Sequence, residues 1–158
     1  MDIEKNSAGI RIWPPMVYIG TLFAGWLIDR VSWWKVEIPL PHSLERMVAG
    51  LAIVIGFGIL MTAIGLFKKA GTPPEPWKQV SALVTDGVYR WTRNPMYLGM
   101  TLIYLGFAIY ADSLITLLLI VPVTFWITRN VIEKEEAAMT ARFGSDYLAY
   151  RERVGRWF

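Results

Sequence analysis

The chain has 158 residues, room for one domain, and 54% of them are hydrophobic, with a mean hydropathy of +0.38. It has no cysteine, which excludes disulfides, thiolate catalysis and cysteine-ligated metals, and its single histidine, His42, leaves little room for a histidine-built metal site or a Ser-His-Asp triad. A net charge of +3 reads as membrane orientation and lipid-surface contact, not as a nucleic-acid footprint.

The first twelve residues carry Asp2, Glu4, Lys5 and Arg11 and lack a small-residue cleavage pattern after a short apolar core. No cleavable signal is expected, and the first span is expected to stay as an anchor. That span runs from Trp13 to Ile28, with room to continue through Trp33-Trp34, and Pro14-Pro15 suits a helix start. The second runs from Met47 to Phe67 without a charge, long enough to cross the hydrocarbon core. Its glycines at 50, 56, 58 and 65 fit close helix contact, and equally the ordinary glycine content of membrane helices.

Residues 68–94 do not read as a flexible linker. Gly71-Thr72-Pro73-Pro74-Glu75-Pro76 is stiff and extended, and Thr85-Asp86-Gly87 is a turn. The third span covers Pro95 to Ala111. The fourth covers Leu114 to Thr128 and is expected to continue as helix to Val131-Ile132, with a kink expected at Pro122. Only Asp112-Ser113 separates them, so they form a tight antiparallel hairpin. Both are short for a bilayer core of about 30 Å and lean on interfacial aromatics or local thinning. Trp13, Trp26, Trp33, Trp34, Trp77, Trp91, Trp126 and Trp157 lie mostly near span ends, as in an aromatic belt. In the tail, Phe143-Gly144 reads as a helix end, and Ser145 or Asp146 as the cap of a last short helix carrying Tyr147, Tyr150 and Val154.

Lysine and arginine set the topology. Two in the N-terminal tail, five in the second connection and six in the C-terminal tail face three in the first connection and none in the third. The expectation is an all-α, four-span membrane protein with both termini in the cytoplasm, forming one domain over 1–158. The lack of cysteine and this charge balance fit a bacterial or archaeal inner membrane, with the endoplasmic reticulum as the alternative.

Because the third and fourth spans form a hairpin, the polar segments flanking it emerge on one side. One is Arg93-Asn94-Pro95, whose Asn and Pro suit a helix start and whose free N–H groups also suit a polar ligand. The other is the carboxylate run Glu133, Glu135 and Glu136. A charge run commonly marks a solvated helix. At a membrane boundary beside Tyr89 and Tyr97, it also suits an amphiphilic cation.

The combination of Gly87-Val88-Tyr89, Arg93-Asn94-Pro95-Met96-Tyr97-Leu98-Gly99, Glu135-Glu136, Phe143-Gly144, Tyr147 and Tyr150 resembles the isoprenylcysteine carboxyl methyltransferase and phospholipid methyltransferase superfamily over residues 78–157. The resemblance implies an integral-membrane enzyme that uses S-adenosylmethionine. It implies that Ser81, Ala82, Leu83 and Val84 line the cofactor site and that Tyr89 contacts the cofactor. It matches Arg93, Asn94, Pro95, Met96 and Tyr97 to an arginine-histidine-proline-x-tyrosine motif, and Glu135 to the glutamate that holds the cofactor. Asn94 replaces the histidine and cannot act as an acid or base near neutral pH. Val131 stands where the prenylcysteine enzymes carry an arginine for the substrate carboxylate, which argues against a prenylcysteine substrate. Glu135 and Glu136 are the candidate bases for an amine acceptor. The implied acceptor is a lipid amine, an isoprenoid carboxylate or a thiol drawn from the bilayer. The alternatives are an NADPH-dependent membrane reductase of the sterol-reductase type, disfavoured by size, and a degenerate relative without activity.

Overall fold

In the computed structural model, residues 13–33, 36–75 and 77–158 are described. The expectations for Asp2, Glu4, Lys5, Arg11, Trp34, Lys35 and Pro76 lie outside them. Among the described residues every regular element is helical. α1 is Pro14–Val31, α2 His42–Lys69, α3 Pro95–Tyr110, α4 Leu114–Leu118, α5 Ile120–Ile127, α6 Glu133–Phe143 and α7 Ser145–Arg153. A short 3₁₀ turn, Gly87–Arg90, precedes α3, and a π turn, Thr128–Ile132, joins α5 to α6.

Two continuous helices, His42–Lys69 and Leu114–Phe143, are long and apolar enough to cross a membrane; α3 is apolar but only 16 residues long. The first of these spans about 42 Å at 1.5 Å per residue. Its outward face exposes Met47, Leu51, Val54, Phe57 and Met61, a hydrophobic surface that suits lipid. In the second, the first charge is Arg129, and Glu133–Phe143 carries five more.

α2 and α3 run antiparallel in close contact. A Cβ on Gly56 would lie 2.7 Å from the Gly99 carbonyl oxygen, and one on Gly99 would lie 2.7 Å from that of Gly56. Gly106 approaches the Ala49 carbonyl in the same way, at 2.8 Å. Of the four glycines noted in α2, only Gly56 makes such a contact; Gly50, Gly58 and Gly65 face open space. Small residues let the two backbones meet, as in membrane helix pairs.

α1 closes the bundle against α3, α4 and α5. It starts at Pro14 and runs to Val31. The core gathers Tyr18, Tyr97, Tyr104, Val123, Ile127, Val131 and Ile132. Tyr104 donates a buried hydrogen bond to the Thr116 carbonyl at 2.9 Å, so its polar end is satisfied. Trp126 and Trp157 are partly buried against this core, whereas Trp13 and Trp91 are exposed.

The α3–α4 hairpin turns on Asp112, whose φ is +48°, and Ser113 caps α4 by accepting from the Thr116 N–H at 3.0 Å. Pro122 gives a mild interruption, at Leu119 between α4 and α5. The unforeseen irregularity is the π turn. Its wider loop closes with the Glu133 N–H on the Thr128 carbonyl, and the Asn130 side chain donates to the Trp126 carbonyl at 2.9 Å. α6 ends at Phe143, and Gly144 takes a φ of +52° that a residue with a Cβ rarely adopts. The expected cap is different: Gly144 holds the N-cap position of α7, while Ser145 and Asp146 are its first helical residues.

Candidate functional site

The site forms where the start of α3, the 3₁₀ turn, α6 and α7 converge beside the end of α2. Pro95 occupies the first helical position of α3. Asn94 sits at the N-cap position, but its side chain makes no cap and instead donates Nδ2–H to the Arg156 carbonyl at 3.0 Å. Two more bonds stitch the same tail. Thr92 Oγ1 donates to the Arg156 carbonyl at 3.0 Å, and the Arg93 N–H donates to the Gly155 carbonyl at 3.0 Å.

This docking brings the Arg156 side chain onto α6. Its Nε and Nη2 fork onto the Glu136 carboxylate at 3.0 and 2.7 Å. Arg93 Nη2 reaches the same carboxylate at 3.3 Å. Glu136 is therefore fixed by two guanidinium groups, the geometry of a structural anchor. As a base it is poorly suited, because its charge is already shared. Arg93 is 9% exposed; its Nη1 donates to the Tyr147 hydroxyl at 3.4 Å, and its Nε is buried without a partner.

Glu135 is held differently. The Tyr97 hydroxyl donates to its Oε1 at 2.7 Å. Glu135 lies past the apolar run of its helix, and burial pushes its carboxyl up to about 7, opposed by the Tyr97 bond and reinforced by the nearby Glu136 charge. Tyr89 stacks on Phe67 with ring centroids 5.4 Å apart and accepts, through its carbonyl, the Tyr150 hydroxyl at 2.6 Å. Burial pushes both the Tyr89 and Tyr150 hydroxyls well up, so they act as neutral donors.

These groups surround a cavity of about 390 Å³. Leu83, Val84, Tyr89, Arg93, Asn94, Pro95, Met96, Tyr97, Glu135 and Glu136 all line it. Ser81 and Ala82 do not. Ser81 instead braces the loop, its N–H donating to Thr72 Oγ1 at 2.8 Å and its hydroxyl to the Gly71 carbonyl at 2.9 Å. Sequence reasoning missed Phe67, Glu75 and Arg142 in the wall, and Arg156 behind it. A glutamate in a proline-rich stretch and an arginine near a chain end carry no local signal of that role.

A second cavity, about 470 Å³ and mostly apolar, lies between α1, α2 and α3. The two cavities share Pro74, Glu75, Met96 and Tyr97 as a common wall. Among the described residues Glu75 is the one charged residue lining the apolar cleft; its Oε1 accepts from Lys78 Nζ at 2.8 Å, and its Oε2 is buried without a partner. Val131 is buried in the core and Arg129 pairs on the surface with Glu133 at 3.2 Å, so neither supplies a cation there.

The chain matches the family model described as phospholipid methyltransferase over residues 44–146. Among curated proteins it is similar to the protein-S-isoprenylcysteine O-methyltransferase of Mus musculus, 33% identical over 73% of this chain and 51% of that protein. The enzyme of the same name from Schizosaccharomyces pombe is 35% identical over 46% of this chain and 30% of its own length. The chain thus spans at most about half the length of these relatives. A solved structure of the eukaryotic intramembrane Ras methyltransferase ICMT aligns over 94% of this chain and 68% of its own, with 20% identity and a TM-score of 0.47. With the family match covering more than half of its residues, this chain belongs to the phospholipid methyltransferase family.

Proposed function

We propose that this chain is a membrane methyltransferase that moves a methyl group from S-adenosylmethionine to a lipophilic acceptor. The observation that carries the reading is the shared wall: a polar, charged cavity and an apolar cleft meet at Glu75, Met96 and Tyr97. A water-soluble donor and a lipid-borne acceptor need that adjacency.

The residues present fit the donor. Arg93 offers a buried Nε without a partner, suited to a carboxylate, while Glu135 offers negative charge to a cation and Phe67 and Tyr89 offer aromatic faces. Ser81 and Ala82 serve by shaping the loop. When bound, the donor supplies a methyl group activated by its sulfonium. The chain's task is then to hold the acceptor in line and keep water out, and positioning of this kind supplies about 7–11 kcal/mol in favourable cases. Glu135, with its carboxyl near 7, is matched to accept a proton near neutral pH. Glu136 holds the wall together.

The acceptor favoured by the cleft is an amine. Among the described residues the charged group lining the cleft is the Glu75 carboxylate, which Lys78 pairs through Oε1 while Oε2 keeps a lone pair for an ammonium; an acid would meet that carboxylate with no lysine, arginine or histidine in the cleft wall. In this reading the protein has four spans with both termini in the cytoplasm of a prokaryotic inner membrane, and the C-terminal helical segment completes the donor site. The charge distribution supports it, as does the apolar outward face of α2.

Calorimetric titration of the detergent-purified protein with S-adenosylhomocysteine, and with NADPH in parallel, tests the proposal. Binding of the former alone is expected, followed by methyl transfer to a long-chain amine in preference to a long-chain acid or thiol. Binding of NADPH alone overturns the reading in favour of a reductase.

A further inference from the structure

The opposite end of the bundle carries an unexplained buried charge. Glu45, in the first turn of α2, is 4% exposed. One of its oxygens, Oε2, meets His42 Nδ1 at 2.9 Å. The other, Oε1, is buried with no hydrogen-bond partner. A carboxylate removed from water with an unsatisfied oxygen is costly unless a cation compensates it.

Asp112 approaches the same point from the α3–α4 turn. Its Oδ1 accepts the Ile38 N–H at 2.8 Å, which orients the carboxylate. One ligand atom each from His42, Glu45 and Asp112 lies within 4.8 Å of the other two. Glu37 adds negative field at the imidazole. We propose that His42, Glu45 and Asp112 form a binding site for a divalent transition-metal cation that staples the start of α2 to the α3–α4 turn.

The chemistry fits. Ligand bonds of about 2.0–2.2 Å require donor atoms roughly 3–3.6 Å apart, so the cluster must close by about 1 Å. His42 is exposed, and an inward turn of its ring exchanges the 2.9 Å contact with Glu45 for a shared ion. One imidazole and two carboxylates match zinc, manganese, iron(II) or cobalt(II), while a site for calcium or magnesium would favour oxygen alone. Three protein ligands leave a further position for water. A site of this mixed kind needs only one histidine, which the composition supplies. Such an ion also fixes the connector ahead of α2, because the Leu114 N–H donates to the Val36 carbonyl at 3.1 Å beside the same turn.

The test uses the full chain in detergent, free of affinity tags and stripped with a chelator, titrated with Zn²⁺ and Co²⁺. One saturable ion per chain is expected, with visible cobalt bands of mixed nitrogen and oxygen ligation. At a hundredfold excess over Kd the melting temperature should rise by roughly 5–10 °C. His42→Ala and Glu45→Gln should each weaken binding at least tenfold. Should Glu45→Gln fail to fold, the exposed His42→Ala decides alone. Absence of a saturable ion overturns the proposal, as does binding whose affinity is unchanged in the variants.

Discussion

Glu135→Gln isolates the charge at the centre of the cavity. The replacement keeps an oxygen that accepts from the Tyr97 hydroxyl, now 2.7 Å from Glu135 Oε1, so the local geometry is retained while the charge is lost. A hydrogen bond involving a charged group contributes about 1.5–3 kcal/mol, which makes the expected loss in affinity for S-adenosylmethionine roughly 10- to 150-fold at pH 8. The pH profile adds a second signature. With its carboxyl raised from 4.5 to about 7, Glu135 is about one-tenth ionised at pH 6 and about nine-tenths at pH 8. Wild-type affinity should therefore gain up to about tenfold over that interval, beyond any change seen in Glu135→Gln. Stability without ligand should move the other way. A carboxyl raised in the fold binds its proton more tightly there than in the unfolded chain, so its contribution is fully present below 4.5 and is lost as pH rises through about 7. Glu135→Gln should remove that decline. Calorimetry from pH 6 to 8, with thermal unfolding alongside, reads both effects. Equal affinities and superimposable pH profiles would refute the assignment of Glu135 to the donor.

Four further outcomes are expected. Arg156→Ala, which takes away the fork on Glu136, should cost about 1.5–3 kcal/mol in unfolding measurements and weaken donor binding by loosening Arg93. Gly99→Leu should cost about 3 kcal/mol or more, since its Cβ meets the Gly56 carbonyl at 2.7 Å, whereas Gly58→Ala, facing open space, should be neutral or stabilise by up to about 1 kcal/mol. Tyr150→Phe should lower stability by about 1–2 kcal/mol through loss of the buried bond to the Tyr89 carbonyl, with fluorescence-detected melting as the readout. Glu75→Gln should depress methylation of a long-chain amine more than it weakens calorimetric affinity for S-adenosylhomocysteine, because Glu75 lines both cavities but is the one charged residue in the cleft among the described residues.

Features written in neighbouring residues were legible. Pro14 and Pro95 open helices because their missing N–H would be unsatisfied in a first turn anyway, and Gly144 ends one because it tolerates positive φ. The Asp112-Ser113 break forced a hairpin, which placed Asn94 and Glu135 at the same end. Features written across the chain were not. Asn94 has the chemistry of a cap, yet a carbonyl 62 residues away takes its amide. Glu136 looked like a free carboxylate because its partner Arg156 lies 20 residues on, past a helix end. The four glycines of α2 gave no clue to which one meets α3, since a helix that is apolar all round does not mark its packed face. Ser81 and Ala82 sit in a loop whose course depends on Thr72 and Gly71.

The π turn between α5 and α6 makes the register of the carboxylates depend on a single residue. An uninterrupted α-helix advances about 100° per residue, so deleting one position within Thr128–Ile132 to restore α geometry would rotate everything after it by more than a quarter of a circle. Glu135 would turn away from Tyr97, and Glu136 from the two arginines. The length of that turn is thus as much a part of the site as the side chains themselves: an insertion or deletion there changes what the cavity is made of.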